Sequence, residues 1–450
     1  MTYKNVVSGI VESLPTIEFL TDERYVHRLS QDFHWFSPIL KDSLGEKAAD
    51  AIAKPKDQEE LKEIVGACAK RGVPITIRGG GTGNYGQCVP LDGGVVIDMT
   101  QINRIRSIKD GVARVESGTK LLSIDAEARE HGWEMRLLPS TYRMATAGGF
   151  FGGGFGGVGS VTWGSLRDPG NVLAVRVLSV EPEPKELELR DAQALDMYHA
   201  YGINGIMTEI EFALAPAYDW VEAVPTFDTF MDAMRFSQEF ASAGGVVKRM
   251  LTPLADPVPQ YCGLEGKVNA GRHAVLVIAA KSAMEFLRSC VAKHDGEVVF
   301  EQNGNEAFGT PKSIIEHSWN HTTLQTLKKD RNVTYLQSGF PPSENLAKVE
   351  QLYKEFGSEL MWHLEYIRAD GAVTCSGLQL VHYQDEERLN EIIQHHRNEG
   401  VSVANPHTYM LEDGGPTMES DPRQLVMKRQ LDPQGLLNPG KMRAWQDAVA

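Results

Sequence analysis

Glycine in this chain is concentrated in two short stretches, and this clustering restricts the fold more than any other feature. Of the 43 glycines, seven lie in residues 79–94 and nine in residues 148–164. Glycine adopts backbone conformations and close approaches that other residues avoid, so clusters of this kind mark backbone that turns tightly or meets a ligand. Both stretches stand between segments with ordered patterns, which predicts two structured loops.

The second cluster also has the composition of a packed segment. Flexible linkers of this kind normally contain glycine and serine without aromatic residues. Here Phe150, Phe151, Phe155 and Val158 stand among the glycines, and such side chains favour burial. We therefore predict a packed loop rather than a flexible linker.

Three windows match the pattern GxGxxG: residues 81–86 in the first cluster and the overlapping residues 152–157 and 154–159 in the second. A Rossmann fingerprint must open a helix, because the pyrophosphate binds at the N-terminus of that helix. The sequences that follow, QCVPLDGG and SVTWGSLRDPG, predict no helix. No GxxxxGK[ST] P-loop occurs either. Successive backbone N–H groups can hold a pyrophosphate without a helix, in an anion nest, so two such loops are suited to clamp one dinucleotide.

The remaining patterns indicate mixed helices and strands. Residues 57–71 carry a helical apolar stripe with Asp57 as a capping residue and Gly72 as a stop. Asp110-Gly111 and Asp370-Gly371 each predict a β-hairpin. From about residue 216 to 400, strands alternate with helices, which is typical of an α+β domain with an antiparallel sheet.

Charge and cysteine content exclude several classes of protein. A net charge of −15 argues against nucleic acid or an anionic membrane as a partner, because both require a basic surface. The five cysteines include no CxxC pair, which suits a reducing compartment. We find no signal-peptide pattern and no apolar run near the roughly 20 residues of a membrane helix. These observations predict a cytoplasmic protein without membrane insertion.

Four blocks of the chain resemble the vanillyl-alcohol oxidase/p-cresol methylhydroxylase (PCMH-type) FAD-binding family, and they occur in the family's order. Residues 73–99 resemble its first pyrophosphate loop and residues 137–168 its second. Residues 204–216 contain a strand similar to its GIxTE strand, and residues 431–442 resemble its DPxxxxNPGK ending. The chain is most similar to the branch of glycolate oxidase subunits and D-lactate dehydrogenases.

The resemblance implies an α+β fold in three parts. Residues 1–215 would form a two-subdomain PCMH-type FAD-binding domain. Residues 216–400 would form an inserted α+β cap domain, with an antiparallel sheet and helices, that supplies the substrate pocket. Residues 401–450 would return to the FAD-binding domain.

The resemblance also implies FAD as the cofactor and assigns residues to it. Residues of the first loop would hold the pyrophosphate, residues of the second would approach the flavin, and Ile206 and Thr208 would contact the adenine end. The predicted cofactor-binding residues are Arg78, Gly79, Gly80, Gly81, Thr82, Gly83, Asn84, Pro139, Ser140, Thr146, Gly148, Gly149, Gly153, Gly156, Gly157, Ile206, Thr208 and Asn438.

Departures from the family pattern predict that FAD binds without a covalent bond. Thr82 stands where covalent members often place histidine, and no cysteine lies near Met144, where a second attachment residue would fall. Some members attach the flavin to a C-terminal histidine, so a covalent bond from His407 to the flavin stays an open alternative. The HGDGNxH-like pair of many D-2-hydroxyacid dehydrogenases is absent. We therefore predict no metal site, and the 2-hydroxy acid assignment stays open.

Four residues are predicted as catalytic: His407, Tyr409, Arg143 and His321. His407 and Tyr409 stand in a polar segment that either faces a pocket or forms an ordinary turn. Arg143 is suited to a substrate carboxylate or to a structural salt bridge. His321 lies four residues after His317, which predicts one helix face bearing two histidines. Without an acidic third ligand this pair does not predict a metal.

The resulting hypothesis is an FAD-dependent dehydrogenase or oxidase. It would oxidise a small hydroxylated substrate, such as a 2-hydroxy acid, by hydride transfer to flavin N5. The alternatives are an oxidase of an aromatic alcohol or phenol and a flavin-binding protein without catalysis. The expected partners are a small-molecule substrate, an electron acceptor left open among oxygen, a quinone and a carrier protein, and a second copy of the chain in a homodimer.

Overall fold

A computed structural model describes residues 3–415 and 421–449 of the chain. Its helices are α1 (Lys4–Ser13), α2 (Glu23–Leu29), α3 (Pro38–Leu44), α4 (Gln58–Arg71), α5 (Leu121–Glu130), α6 (Ala147–Gly153), α7 (Ser160–Trp163), α8 (Phe230–Ser242), α9 (Val258–Tyr261), α10 (Met284–Lys293), α11 (Gly304–Ala307), α12 (Asn320–Lys329), α13 (Asn345–Phe356), α14 (Glu386–Asn398), α15 (Leu411–Gly414), α16 (Pro422–Leu431) and α17 (Arg443–Val449). Its strands are β1 (Glu18–Leu20), β2 (Ala51–Lys54), β3 (Ile75–Arg78), β4 (Val95–Asp98), β5 (Ile105–Lys109), β6 (Val112–Glu116), β7 (Trp133–Met135), β8 (Val172–Leu178), β9 (Glu186–Arg190), β10 (Ile206–Pro216), β11 (Trp220–Phe227), β12 (Lys248–Leu254), β13 (His273–Ala280), β14 (Glu297–Asn303), β15 (Val333–Tyr335), β16 (Ser338–Gly339), β17 (Leu360–Met361), β18 (Leu364–Ala369), β19 (Ala372–Gly377), β20 (Leu380–His382) and β21 (Ser402–Val403).

The first sheet has the strand order β1-β2-β4-β3 and delivers the first glycine cluster at the end of β3. Strands β2, β4 and β3 are parallel, and β1 is antiparallel to β2. Helix α4 packs its apolar stripe against this sheet. The helix begins as the sequence predicts, because the Asp57 carboxylate accepts the N–H groups of Glu59 and Glu60. It ends at Gly72, whose φ of +63° suits glycine.

The second sheet has the order β5-β6-β10-β8-β9, and β7 pairs with β10 beyond the end of β6. All of its pairings are antiparallel. The predicted hairpin between β5 and β6 is confirmed, since Asp110 and Gly111 have φ values of +52° and +75°. Strand β10 contains the predicted GIxTE segment and lies at the centre of this sheet, so its backbone is fixed from both sides.

The middle of the chain forms three further antiparallel sheets. Their strand orders are β12-β13-β11-β14, β15-β20-β17 and β18-β19-β16-β21. Helices α8 and α10 pack on the first of these three sheets. Asp370 and Gly371 form the predicted hairpin between β18 and β19. These antiparallel sheets with packed helices confirm the α+β class, while the predicted boundaries at 215 and 400 stay predictions.

The C-terminal segment returns to the first sheet. The Ile75 N–H donates to the Leu436 carbonyl at 2.8 Å, and the Asn438 N–H donates to the Ile75 carbonyl at 2.7 Å. The buried Lys441 ammonium donates to the carbonyl oxygens of Gly86, Gln87 and Val89. These bonds support the first glycine cluster from behind.

Two short helices lie within the second glycine cluster, and the prediction that no helix follows Gly159 is wrong. Helix α7 is a single turn at that position. Helix α6 begins at Ala147 and is capped by Thr146, whose hydroxyl accepts the Gly149 N–H. Burial of Phe150 and Phe151 favours α6 despite its glycines, which shows tertiary packing overriding low helix propensity.

Two general features of the described residues bear on the environment. No helix within residues 3–415 or 421–449 combines the length and the apolar character needed to cross a bilayer. The cysteines at positions 68, 88, 262, 290 and 375 are all buried free thiols.

Candidate flavin-binding cavity

The two glycine clusters face each other across a cavity of about 510 Å³. The opposite wall comes from the middle of the chain, with contributions from the start of α12, from β16 and from the β18–β19 hairpin. Fifteen of the eighteen predicted cofactor-binding residues lie on the cavity wall: Gly79, Gly80, Gly81, Thr82, Gly83, Asn84, Pro139, Ser140, Thr146, Gly148, Gly149, Gly153, Gly156, Gly157 and Ile206.

The first glycine cluster offers free hydrogen-bond donors. The backbone N–H groups of residues 80–85 donate to no acceptor among the residues that the structure describes. Gly81 has a φ of +62°, and the Arg78 guanidinium occupies the place where a Cβ of residue 81 would lie. Arg78 is held there by a 2.6 Å bond to the Gln31 carbonyl. Consecutive free N–H groups form the kind of nest that binds a pyrophosphate.

The second glycine cluster has a different role. The Ala147 N–H donates to the Thr119 carbonyl at 2.9 Å, and the Gly148 N–H donates to the Ser117 carbonyl at 2.8 Å. A Cβ on Gly148 would lie 2.8 Å from the Ser117 Cβ, closer than side chains approach. The first N–H groups of α6 are therefore bonded within the protein and are not available to a ligand. The glycines of α6 allow the backbone to pack closely.

Three predicted cofactor residues lie behind the cavity wall. Arg78 supports Gly81, as described above. Thr208 is buried in β10, and its hydroxyl donates to a backbone carbonyl of β8. The Asn438 amide donates to the carbonyl oxygens of Gln87 and Tyr201 at 2.8 and 2.7 Å. These contacts position the loops rather than reach the cavity.

Several polar atoms on residues of the cavity wall are buried and have no hydrogen-bond partner in the described part of the chain. They are Asp32 Oδ2, Asn84 Nδ2, Ser117 Oγ, Trp319 Nε1 and Asn320 Oδ1. A buried polar group without a partner costs about 1–3 kcal/mol, so a bound ligand is expected to satisfy such groups. A dinucleotide, with phosphates, sugar hydroxyls and heterocycle edges, supplies complementary donors and acceptors. The residues therefore fit FAD.

None of the four predicted catalytic residues, His407, Tyr409, Arg143 and His321, is on the cavity wall. The His407 ring nitrogens lie 2.9 Å from the Ser37 hydroxyl and 2.9 Å from the Tyr335 carbonyl. Burial lowers the pKa of His407 to about 4, so the ring is neutral. Tyr409 packs beside Leu40 in a small apolar cluster.

Arg143 and His321 lie directly behind the wall and share one carboxylate. Glu316 places its oxygens 3.4 Å from His321 Nδ1 and 3.6 Å from an Arg143 nitrogen. Burial lowers the pKa of His321 to about 4 and raises the pKa of Glu316. His321 follows Trp319 and Asn320, which do reach the cavity.

The predicted histidine pair on one helix face is wrong. His317 ends a short 3₁₀ helix, whereas His321 lies in α12. Trp319 separates them with a φ of +49°, which turns the chain between the two segments. His317 instead contacts the Cys262 carbonyl at 2.8 Å. Regular i, i+4 spacing therefore does not hold here.

Several residues of the cavity wall come from distant positions and were not predicted from the sequence. Asp32 and Ser117 precede the two clusters, and Gln337 comes from the middle of the chain. Tyr85 stands inside the first GxGxxG window, and its hydroxyl bonds to Gln337. Only Tyr85 could have been predicted from the sequence, because it lies in the first GxGxxG window. Asp32, Ser117 and Gln337 lie in no local sequence pattern that indicates a site.

The comparison with known families decides what this cavity holds. Residues 49–182 match the family model described as FAD binding domain. Over this part of the chain the similarity is to an FAD-binding domain. The match covers β2, β3 and β4 of the first sheet, both glycine clusters and β8, so the predicted cofactor, FAD, is confirmed.

Curated relatives lie in the branch that the sequence indicates. The chain is 29% identical over 248 residues to the mitochondrial D-lactate dehydrogenase [cytochrome] of Arabidopsis thaliana, covering 51% of this chain and 41% of that protein. It is 22% identical to glycolate oxidase subunit GlcD of Bacillus subtilis, covering 88% of this chain and 89% of the relative. The match thus spans about two fifths of the length of the plant protein and most of the bacterial one.

A solved structure shares the fold of the flavoprotein. The chain superposes on alkyldihydroxyacetonephosphate synthase with a TM-score of 0.71 and 16% sequence identity, covering 98% of this chain and 85% of that one. At this identity the likeness concerns the fold alone. Together with the family match it confirms the predicted FAD-binding fold, while the inserted cap domain stays a prediction.

Proposed function

We propose that this flavoprotein is an FAD-dependent oxidoreductase that oxidises a small hydroxylated substrate, with 2-hydroxy acids as the first class to test. The observation that carries the proposal is the cavity itself, where free backbone donors face a polar cap wall. The relatives named D-lactate dehydrogenase and glycolate oxidase subunit support the substrate class.

Different residues on the cavity wall bind different parts of the cofactor. The N–H groups of residues 80–85 bind the pyrophosphate, since they are consecutive, free and close together. The closely packed start of α6 shapes the opposite side, and Ile206 supports the adenine end. When bound, FAD supplies the two-electron chemistry that side chains lack.

The cap side of the cavity is proposed to orient the substrate. Trp319 and Asn320 present unsatisfied polar atoms at the start of α12. His321 is neutral and lies 3.4 Å from Glu316, which also approaches Arg143. Its lowered pKa makes it a weak base, so we propose it as a hydrogen-bond partner of the substrate rather than as the proton acceptor. The geometry favours His321 and Arg143 over His407 and Tyr409 for catalysis.

Anaerobic reduction of the purified flavoprotein tests the proposal. The protein should show flavin absorbance, and one member of a panel of D- and L-2-hydroxy acids, alditols and aromatic alcohols should bleach it. If only an aromatic alcohol bleached the flavin, the alternative function, oxidation of an aromatic alcohol or phenol, would replace oxidation of 2-hydroxy acids. A flavin that no member reduces, although dithionite reduces it, would contradict the oxidoreductase proposal.

We also propose that FAD is bound without a covalent bond. Thr82 stands at the matched attachment position, and no histidine of the described chain is on the cavity wall. Cys88 does reach the wall, but burial raises the pKa of its thiol to about 11, so it is a poor nucleophile. Acid precipitation should therefore release the flavin into the supernatant, whereas flavin retained in the pellet would contradict the proposal.

The remaining proposals concern organisation and partners. A division near residue 215 is supported by β10, which ends at Pro216, and β11, which begins at Trp220 in a different sheet. The proposed boundary near residue 400 lies just before β21, which still pairs with β16. A cytoplasmic location, a homodimer and the identity of the electron acceptor are open to direct measurement. Steady-state assays with oxygen, a quinone analogue and a one-electron carrier protein would assign the acceptor.

A further inference from the structure

A cluster of three side chains with metal-ligand chemistry lies on the outer face of the cap, away from the flavin cavity. Glu239 comes from α8, and Cys290 and His294 come from α10 and the residue that caps it. Their ligand atoms, a carboxylate oxygen, a thiol sulfur and an imidazole nitrogen, all lie within 4.8 Å of one another. None of the three is on the cavity wall.

Helix geometry explains why Cys290 and His294 meet. Residues four apart lie on the same side of a helix, one turn above the other. Helix α10 packs beside α8, so this side faces Glu239. The His294 Nε2 atom lies 2.9 Å from a Glu239 oxygen. Cys290 is buried, whereas the Glu239 and His294 side chains are 34% and 15% exposed, so an ion can enter from solvent.

We propose that Glu239, Cys290 and His294 bind a divalent cation of the zinc type, with the fourth coordination position open to water. Sulfur and imidazole nitrogen together favour Zn²⁺ over Mg²⁺ or Ca²⁺, which prefer oxygen ligands. The Cys290 thiol loses its proton to solvent when the ion binds. The bound ion links α8 to α10 and stabilises the cap.

Lys293 competes with the ion in the free protein. Its ammonium lies 2.9 and 2.8 Å from the two Glu239 oxygens. Binding of the ion requires Glu239 to turn at least one oxygen away from this ammonium. Removal of the competitor therefore should raise the affinity for the metal.

The chain contains a matched control for this site. His395 and Glu355 form the same 2.9 Å contact between α14 and α13. That pair lies in no group of three metal-binding side chains among the described residues. A site that depends on the complete triad should distinguish the two histidine–glutamate pairs.

Titration of the FAD-loaded full-length protein with Zn²⁺ tests the proposal. One ion per chain should bind to the wild type and to His395→Asn, and its dissociation constant should rise at least about tenfold in Cys290→Ser and His294→Asn. Cd²⁺ should give a thiolate charge-transfer band in the wild type and none in Cys290→Ser. Equal Zn²⁺ affinity in all four proteins, or less than a tenth of an ion per chain, would overturn the proposal.

Two further measurements separate the site from a folding effect. Metal-free Cys290→Ser and His294→Asn should keep the flavin spectrum and unfolding midpoint of the wild type, while Zn²⁺ should raise the midpoint only where the triad is intact. Lys293→Met should bind Zn²⁺ several-fold more tightly. Unchanged affinity in Lys293→Met would contradict the assignment of Glu239 as a ligand. Neither result depends on the substrate of the flavin.

Discussion

The two glycine clusters reach the same cavity but use glycine for different physical reasons. In the first, residues 80–85 leave their N–H groups free, and Gly81 adopts a left-handed backbone conformation. In the second, α6 donates its first N–H groups to the turn that follows β6, and Gly148 allows that backbone to approach Ser117. Two clusters of similar composition therefore have different roles: the first is a ligand-binding loop, and the second is a packing loop.

Gly81→Ala should show the largest effect on FAD binding. The new Cβ would meet the Arg78 guanidinium at a φ that costs alanine about 1–2 kcal/mol, so the free N–H groups must change direction. We expect FAD affinity in the apo-protein to fall at least about thirtyfold, which corresponds to roughly 2 kcal/mol. Flavin fluorescence quenching measures the dissociation constant.

Gly72→Ala is the matched control for this substitution. Gly72 has nearly the same φ, +63°, but nothing lies within 4 Å of its added Cβ. The variant should lose about 1 kcal/mol of unfolding free energy and keep its FAD affinity. Equal loss of affinity in both variants would show that the left-handed strain alone, and not the direction of the donors, governs binding.

Gly148→Ala should mainly lower stability. Overpacking against Ser117 is expected to reduce the free energy of unfolding by about 1–3 kcal/mol, with less than a tenfold change in FAD affinity. Gly152→Ala in the same helix should cost less than about 1 kcal/mol, because only the flexible end of Met207 lies near its Cβ. Urea unfolding measures both. If Gly148→Ala lost FAD binding while its stability was unchanged, the second cluster would be a ligand-binding loop and not a packing loop.

Acid should act on the second cluster through His199, which lies behind it. Burial lowers the pKa of His199 to about 4, while contacts to the Gly153 and Gly154 carbonyls oppose this shift. The ordinary histidine pKa is about 6.5, so the unfolded chain binds the proton first. The contribution of His199 to stability is complete above pH 6.5 and is lost as the pH falls towards 4.

Variants separate this histidine from the other buried ones. His199→Gln should remove part of the loss in unfolding free energy between pH 7 and pH 5, and it should also flatten the pH dependence of FAD affinity. His407→Gln should change only the stability, because His407 is not on the cavity wall. Identical slopes for His199→Gln and wild type would count against this assignment.

Thr82→Ala should have the smallest effect. The Thr82 and Thr141 hydroxyls are 3.4 Å apart and form a weak link between the two sides of the cavity. We expect a loss of less than about 1 kcal/mol in either stability or FAD affinity. The same binding assay measures it. A loss as large as that of Gly81→Ala would mean that a side chain, and not the backbone, dominates the first cluster.

The sequence predicted most of the cavity wall that the two glycine clusters form, because each cluster is one continuous stretch of backbone. Most of the predicted loop residues are on the cavity wall, and the capped helix α4 and both Asp-Gly hairpins are present. It failed where distant segments meet. Helix α6 forms because Phe150 and Phe151 are buried, and Trp319 turns the chain between two histidines that spacing alone places on one helix.

The sequence by itself indicated FAD through the resemblance of its four blocks to the PCMH-type family. It also determined the position of the two glycine clusters and of the Asp-Gly turns, because turn chemistry and glycine clustering act over a few residues. Only the tertiary structure decided which cluster keeps its donors free, since that depends on whether Ser117 and Thr119 supply acceptors from behind. It also decided that His407 packs inside the protein and that Trp319 and Asn320 reach the cavity. Such pairings join residues far apart in the chain, and no local pattern encodes them.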